Sequence, residues 1–310
     1  MTAALLPSHA ELERAARILA VRSRREVSSA FAGGYRSAFR GGGVEFEESR
    51  PYVPGDDVRH LDWNVLARTG TPYVKRFREE RDQTVLLALD VSRSMAFGSG
   101  GRSKAALAAH AAALLAGAAT RAGDRIGLAH FGAALEVDLE PERNADRLFP
   151  LVRRLAAVAA APSGVTDLAA ALRELGAALT RRAVVVVLSD FRDDALLRER
   201  TTSPVRLALL RLARRHDVVA AAIEDPREVE LPSAGALVVA DPERGGARAV
   251  LRTDAATRAR FAAAAAERRR SLERTLRNAG ADVVWLRTDR DPLRALARFF
   301  EHRPVRRTPP

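Results

Sequence analysis

Residues 84–94 read TVLLALDVSRS, and this stretch decides the fold of the chain. Residues 85–89 are all apolar and lack the alternation of a half-exposed strand, which is typical of a strand buried on both faces of a parallel sheet. Polar side chains follow at once, at Asp90, Ser92 and Ser94. The sequence therefore predicts a central parallel strand with a functional loop at its carboxyl end.

Strand and helix patterns alternate along the rest of the chain. Strands separated by helices of this length favour right-handed crossovers. We predict an α/β fold with a doubly wound, mainly parallel central sheet and helices on both faces. The predicted helices are 9–31, 103–122, 145–159, 167–180, 205–215, 254–278 and a last one ending at 300, and the predicted strands are 84–90, 125–132, 135–140, 183–190, 218–224, 236–241, 247–253 and 282–288.

Composition excludes several classes of protein. The hydrophobic content of 47% in 310 residues is ample for a core, and the absence of cysteine excludes disulfides, thiolate metal sites and cysteine nucleophiles. The N-terminus lacks the pattern of a signal peptide. The longest apolar run, 105–120, is shorter than the roughly 20 residues of a membrane span. We expect a cytoplasmic protein without a transmembrane segment.

The formal charge of +12 raises the alternative of nucleic-acid binding. The basicity is nearly all arginine spread along an alanine-rich chain, since Lys75 and Lys104 are the only lysines. Aromatic residues make up only 5%, so platforms for stacking on single strands are scarce. We expect no specific nucleic-acid binding.

Five oxygen-bearing side chains are predicted to meet at one edge of the sheet. They are Asp90, Ser92, Ser94, Thr166 and Asp190. Asp90 and Asp190 each end an apolar strand, and ligands of open α/β sheets bind beyond the carboxyl ends of the strands. Because the set contains only hard oxygen donors, it favours Mg²⁺, Mn²⁺ or Ca²⁺. Helix capping by these side chains, without metal, is the alternative.

This D-x-S-x-S sequence, with a later threonine and aspartate in the same order, resembles the metal-ion-dependent adhesion site of von Willebrand factor A domains. The resemblance covers roughly residues 84–302. It implies that Ser92, Ser94 and Thr166 contact the metal directly, and that Asp90 and Asp190 act directly or through water.

The sequence from Arg50 to Trp63, R-x-Y-x-P-G-D-D-x-R-x-L-D-W, closely resembles the signature of the bacterial family called "domain of unknown function fifty-eight". The predicted organisation is a family-specific segment at 1–82, a von Willebrand A-like domain at 83–302 and a disordered basic tail at 303–310. The family resemblance also implies a partner, a MoxR-type AAA+ ATPase, in assembly or chaperone-like remodelling.

The Pro-Gly-Asp-Asp stretch has two interpretations. It is either a salt-bridged turn anchored in the core by Trp63, which we favour, or a partner-binding surface. The candidate partner-binding residues are Asp56, Asp57, Arg59 and Asp193.

The favoured function is a non-enzymatic module that binds an acidic side chain of a partner through a divalent metal. A metal-dependent hydrolase or phosphotransferase is the alternative, because carboxylates at a sheet edge also serve phosphoryl chemistry. No nucleophile elbow and no phosphate-binding loop motif occurs in the sequence. Nucleic-acid binding is a weaker third hypothesis.

Overall fold

The computed structural model of the chain describes residues 26–27, 29–39, 44–79, 83–143, 145–162, 164–193, 196, 203–240 and 248–303. Its strands are β1 (Val44–Pro51), β2 (Tyr73–Glu79), β3 (Thr84–Asp90), β4 (Arg125–Phe131), β5 (Leu135–Glu142), β6 (Val184–Ser189), β7 (Asp217–Glu224), β8 (Ala236–Ala240), β9 (Arg248–Arg252) and β10 (Asp282–Arg287). Its helices are α1 (Ser29–Ala38), α2 (Trp63–Thr69), α3 (Lys104–Ala122), α4 (Leu148–Ala160), α5 (Leu168–Ala178), α6 (Pro204–Arg215), α7 (Ala255–Asn278) and α8 (Pro292–His302).

The central sheet has six strands in the order β10-β7-β6-β3-β4-β5. Only β5, at one edge, runs antiparallel to its neighbour. The chain leaves β3 towards β4 and β5, and then returns to β6 on the other side of β3. The strand order therefore reverses between β3 and β6, which is where an open α/β sheet forms its ligand crevice.

The two faces of the sheet carry separate hydrophobic clusters. Val85, Leu87 and Leu89 pack on the face covered by α1, α3, α4 and α8. Leu86 and Ala88 pack on the face covered by α5, α6 and α7. This alternation follows from the strand geometry, which points successive side chains to opposite faces. The predicted fold class, a doubly wound, mainly parallel α/β sheet with helices on both faces, is confirmed.

Helix α3 is the central helix of the core. Ser103 caps its N-terminus by accepting from the Ala106 N–H at 3.1 Å, and Gly123 ends it in the left-handed conformation. Within the described residues, α3 is the helix whose length and composition match a membrane span, although 78% of its apolar window is buried inside the protein. In this fold it therefore serves as a core helix.

The N-terminal helix α1 packs on the same body as the sheet. Most of the predicted helix at 9–31 lies outside the described residues, and α1 continues beyond Phe31 to Ala38. Tyr35 donates to the buried Asp124 carboxylate at 3.0 Å. Tyr35 also packs edge-on against Phe300 of α8, with ring centroids 5.7 Å apart. The boundary predicted at residue 82 thus marks a change in sequence motif. The residues on its two sides share one hydrophobic core.

The C-terminal boundary also differs from the prediction. Arg303, assigned to the disordered tail, is buried in the structure, where its guanidinium pairs with Asp217 and Asp282 and lies 4.5 Å above the Phe39 ring. These two carboxylates and the aromatic ring hold the residue in place. Residues 304–310 lie outside the described part of the chain.

Two antiparallel hairpins lie outside the central sheet. The two strands predicted at 236–241 and 247–253 are confirmed, and they pair with each other in antiparallel fashion as β8 and β9. The β1–β2 hairpin was not predicted, and its connection contains the Pro-Gly-Asp-Asp turn and α2.

Candidate functional site

Asp90 is the central residue of the candidate site. It ends β3 at the point of reversal and is 2% exposed. Its Oδ1 accepts from the Ser92 backbone N–H at 2.9 Å and from the Thr166 hydroxyl at 3.1 Å. The Ser92 and Ser94 hydroxyl oxygens lie 3.1 Å apart, and both side chains are buried. The structure therefore brings four of the five predicted metal ligands into one hydrogen-bonded cluster.

Backbone contacts hold the two loops of this cluster together. The Arg93 N–H donates to the Gly164 carbonyl at 3.2 Å, which joins the loop after β3 to the loop before α5. Gly164 has a φ of 77°, in the left-handed region that favours glycine. Asp167, next to Thr166, caps α5 by accepting from the Ala170 N–H at 2.8 Å. The start of α5 thus fixes the position of the Thr166 hydroxyl.

Ser189 is a site residue that the sequence reasoning missed. Its hydroxyl donates to Asp90 Oδ2 at 2.6 Å and accepts from the Phe191 N–H at 2.9 Å. Phe191 is buried with a φ of 49°, an uncommon conformation for a residue with a side chain. The signal in the sequence is the position of Ser189, the last residue of an apolar strand directly before Asp190.

Asp190 lies on the next strand end and has other partners. Lys104, the first residue of α3, is fully buried, and its ammonium donates to Asp190 Oδ2 at 2.5 Å and to Glu228 at 2.8 Å. Asp190 Oδ1 accepts from the Arg192 N–H at 3.1 Å. Both carboxylate oxygens of Asp190 are therefore engaged by the protein. Its role as a metal ligand stays a prediction.

The two aspartates affect each other electrostatically. Burial raises the pKa of Asp90 to about 6, and the nearby negative charge of Asp190 contributes to the increase. Hydrogen bonds from Ser189 and from Ser92 oppose this increase because they favour the charged form. The buried carboxylate at Asp90 is thus costly to ionise.

The clustered oxygens fit a divalent cation. Asp90, Ser92, Ser94 and Thr166 offer one carboxylate and three hydroxyls, which is a hard-donor set without nitrogen or sulfur. Among the described residues, no group of three or more histidine, aspartate or glutamate side chains lies together as a metal cluster. A cation at this edge would therefore depend on the hydroxyl oxygens as well as on Asp90.

The candidate partner-binding residues of the first hairpin lie in a well-formed turn. Arg50 holds Asp56 through two hydrogen bonds of 2.8 and 2.6 Å. Asp57 accepts from the Arg59 N–H at 3.0 Å, and the Arg59 side chain is 88% exposed. Trp63 is 64% exposed, so the expectation that it anchors the turn in the core is wrong.

Asp62 is the residue that anchors this turn. It is buried, caps α2 through the Asn64 and Val65 N–H groups, and accepts from the Ser49 hydroxyl at 3.0 Å. Asp193, the remaining candidate, accepts from the Leu196 N–H at 3.3 Å beyond β6. Partner binding by the candidate residues stays a prediction.

The reversed strand order and the buried oxygen cluster at its edge define a doubly wound α/β protein with a candidate site at the ligand crevice of the sheet. The chain belongs to the family described as "Protein of unknown function DUF58", which matches residues 48–271. Uncharacterized proteins of Mycobacterium bovis and Mycobacterium tuberculosis are each 35% identical to it over 294 residues, covering 94% of this chain and 90% of theirs.

Solved structures resemble the chain more distantly. BatB from Bacteroides thetaiotaomicron has a TM-score of 0.44 and 14% identity, over 71% of this chain and 97% of its own. An aerotolerance-related membrane protein from Bacteroides fragilis has a TM-score of 0.42 and 16% identity, over 71% and 98%. A mussel byssus thread matrix protein with a zinc-occupied adhesion-site motif has a TM-score of 0.40 and 11% identity, over 72% and 47%.

Proposed function

We propose that the chain is a protein-binding module in which Asp90, Ser92, Ser94 and Thr166 hold a divalent cation. The cation then binds an acidic side chain of a partner protein. The observation that carries this proposal is the convergence of these four oxygen-bearing groups, tied by hydrogen bonds, at the point where the strand order reverses.

The charge of the site supports an acidic ligand. Lys104 neutralises Asp190, so Asp90 is the carboxylate left to offset a doubly charged ion. The cation would keep a net positive charge and at least one coordination position for an external carboxylate. Mg²⁺ is the ion we propose first, with Mn²⁺ and Ca²⁺ as alternatives of the same ligand preference.

The hydroxyl groups of the site support binding without catalysis. The Ser92 and Ser94 oxygens face each other at 3.1 Å, and Thr166 donates to Asp90. A nucleophilic serine needs a base within hydrogen-bond reach, and these contacts supply no histidine in that role. The family resemblance suggests a MoxR-type AAA+ ATPase as the partner, and we propose it as the first protein to test.

The first test measures cation binding directly. Mn²⁺ is titrated into the native chain and the Ser92→Ala and Asp90→Asn variants while free Mn²⁺ is followed by electron paramagnetic resonance. The exposed Ser233 is the matched control. We expect saturable binding by the native chain and Ser233→Ala, and at least a tenfold loss in the other two, since each lacks a proposed ligand. Equal binding by all four would contradict the proposed site.

The second test concerns the partner. Native and Asp90→Asn chains are used to retain proteins from lysate with Mg²⁺ and with EDTA. We expect an AAA+ ATPase to be retained by the native chain with Mg²⁺ alone. Retention of the ATPase under all four conditions would contradict metal-dependent binding. In a separate phosphoesterase assay, turnover by the native chain that disappears in Asp90→Asn would favour the enzyme hypothesis.

A further inference from the structure

A cleft beside the candidate metal site is lined by charged residues. It lies where β6, β7 and β10 end beneath α7, and it contains about 460 Å³ of empty space, counted out to the open solvent. Its charged lining residues include Asp190 and Arg192, which follow β6, and the adjacent Arg268 and Arg269 of α7. Trp285 of β10 also lines the cleft.

The three carboxylates of the cleft already have cationic partners. Glu224 pairs with Arg269, whose guanidinium also lies 4.2 Å above the Trp285 ring. Glu228 accepts from Lys104 at 2.8 Å and lies 3.2 Å from Arg192, and Lys104 also holds Asp190. These ion pairs leave no carboxylate of the cleft wall for another cation.

Arg268 is the cation left over. It lines the cleft and is half-buried, and among the described residues its guanidinium has no hydrogen bond or ion pair. Burial lowers the pKa of Arg268, and the like charge of Arg192 lowers it further. Because Arg268 lies near the like charge of Arg192 and has no ion pair among the described residues, an external anion beside it would be favoured.

The pairing of the lining charges indicates which ligand group fits. Arg192 pairs with Glu228 and Arg269 pairs with Glu224, so Arg268 is the lining cation without an ion pair among the described residues. One carboxylate of a ligand would supply the missing partner. A guanidinium also matches the planar geometry of a carboxylate.

Part of the cleft lining is apolar. Its apolar lining residues include Phe191, Ile223, Val229, Ala265 and Leu272. The spacing of Ala265, Arg268 and Leu272 places them on one side of α7, so the cation and apolar side chains face the same space. A ligand that fills the cleft therefore needs both an apolar stem and an anionic end.

We propose that this cleft binds a peptide carboxylate carried on an apolar stem, with Arg268 as its main ligand and Arg192 beside it. Both a glutamate side chain and an apolar C-terminal residue have this chemistry. The cleft needs no cation, so the proposal goes beyond the metal-dependent binding proposed above and stands or fails separately.

Trp285 provides the signal for the test. The chain has two tryptophans, and a Trp63→Phe background leaves Trp285 as the only one. In EDTA, its fluorescence is followed during titration with acetyl-Ala-Ala-Leu bearing a free carboxylate, the amidated form of that peptide, acetyl-Ala-Glu-Ala-amide and inorganic phosphate. We expect a saturable change with the free leucine peptide, the glutamate peptide or both, and none with the amidated leucine peptide or phosphate.

Arg268→Gln is the critical variant, and Arg270→Gln is its matched control. Arg270 lies two positions further along α7 and pairs with Glu267 on the exposed side of the helix. We expect peptide affinity to fall about tenfold in Arg268→Gln and to stay unchanged in Arg270→Gln, with the fold of both verified by circular dichroism.

Several results would overturn the proposal. The first is that the amidated leucine peptide binds as tightly as the free acid, and the second is that peptide affinity falls equally in the two arginine variants. The third is that neither carboxylate peptide gives a saturable change, and the fourth is an Arg268-dependent response to phosphate alone. Repeating the titration in Asp90→Asn separates this cleft from the metal site, because we expect peptide binding there to be unchanged.

Discussion

At the scale of residues, the candidate site is a set of buried charges held in fixed pairs. Asp90 is surrounded by hydroxyl and backbone donors, while Asp190 is bound to the Lys104 ammonium. The two aspartates therefore differ in role, although Asp90 ends β3 and Asp190 directly follows the end of β6 at the same edge. Lys104 separates these roles because it neutralises one carboxylate and leaves the other to the hydroxyl cluster.

Replacing Lys104 with methionine tests this role. The ammonium is fully buried between Asp190 and Glu228, so its loss leaves Asp190 without its buried cation, while Glu228 keeps Arg192 at 3.2 Å. We expect Lys104→Met to lower the free energy of unfolding by about 3–5 kcal/mol, measured by urea denaturation.

Lys75, the other lysine of the chain, provides the control. Its ammonium lies 3.9 Å from Asp62 and its side chain is 36% exposed, so Lys75→Met should cost less than about 1 kcal/mol. Adding Asp190→Asn to Lys104→Met should restore part of the loss. Equal stability of the two lysine variants would contradict the proposed role of Lys104.

A second prediction concerns the stability of the chain as a function of pH in EDTA. Since the pKa of Asp90 is raised to about 6, its stabilising contribution is complete below the usual aspartate pKa of about 3.9 and is lost as the pH rises through about 6. The amide that replaces this carboxyl in Asp90→Asn stays neutral at every pH. Relative to the native chain, Asp90→Asn should gain about 2 kcal/mol in unfolding free energy between about pH 4.5 and pH 7.5.

Thermal or urea unfolding at several pH values measures this difference. Adding Mg²⁺ at neutral pH should stabilise the native chain and leave Asp90→Asn unchanged, because a bound ion favours only the form with the carboxylate. A stability difference that does not vary between the two pH values would show that Asp90 ionises in the folded chain as it does in water.

At the scale of elements, the site depends on where strands and helices begin and end. Asp90 and Ser189 are the last residues of adjacent parallel strands, Lys104 is the first residue of α3, and Thr166 precedes the start of α5. Strand ends and helix starts of a doubly wound sheet meet at one edge. The sequence could therefore predict this meeting from the order of elements alone.

Helix α1 is the element whose docking the sequence did not predict. Tyr35 connects it to the body through a hydrogen bond to the buried Asp124. We expect Tyr35→Phe to lower the free energy of unfolding by about 2 kcal/mol, because the hydrogen bond to a charged acceptor is lost. Urea denaturation monitored by circular dichroism measures the loss.

The half-buried Tyr52, in the first hairpin, provides the control for this substitution. Tyr52→Phe should change the free energy of unfolding by less than about 0.5 kcal/mol. If the two tyrosine variants were equally stable, the Tyr35–Asp124 bond would not hold α1 on the sheet.

At the scale of the whole molecule, the central sheet and its flanking helices were predictable. An unbroken apolar run such as 85–89 is typical of a strand covered on both faces. The helices between such runs are long enough to show their helical periodicity. The β1–β2 hairpin was not predictable, because its strands are separated by more than a turn and the intervening residues carry no hydrophobic alternation.

By itself the sequence determined the fold class, the edge of the sheet where ligands would bind and four of the residues that cluster there. Local patterns carry this information, since apolar runs and the order of elements depend only on neighbouring residues. Only the tertiary structure decided that Lys104 engages Asp190, that Ser189 supports Asp90 and that Arg268 faces a cleft with no ion pair among the described residues. These contacts join residues far apart in the chain, and their energies depend on burial, which no local pattern specifies.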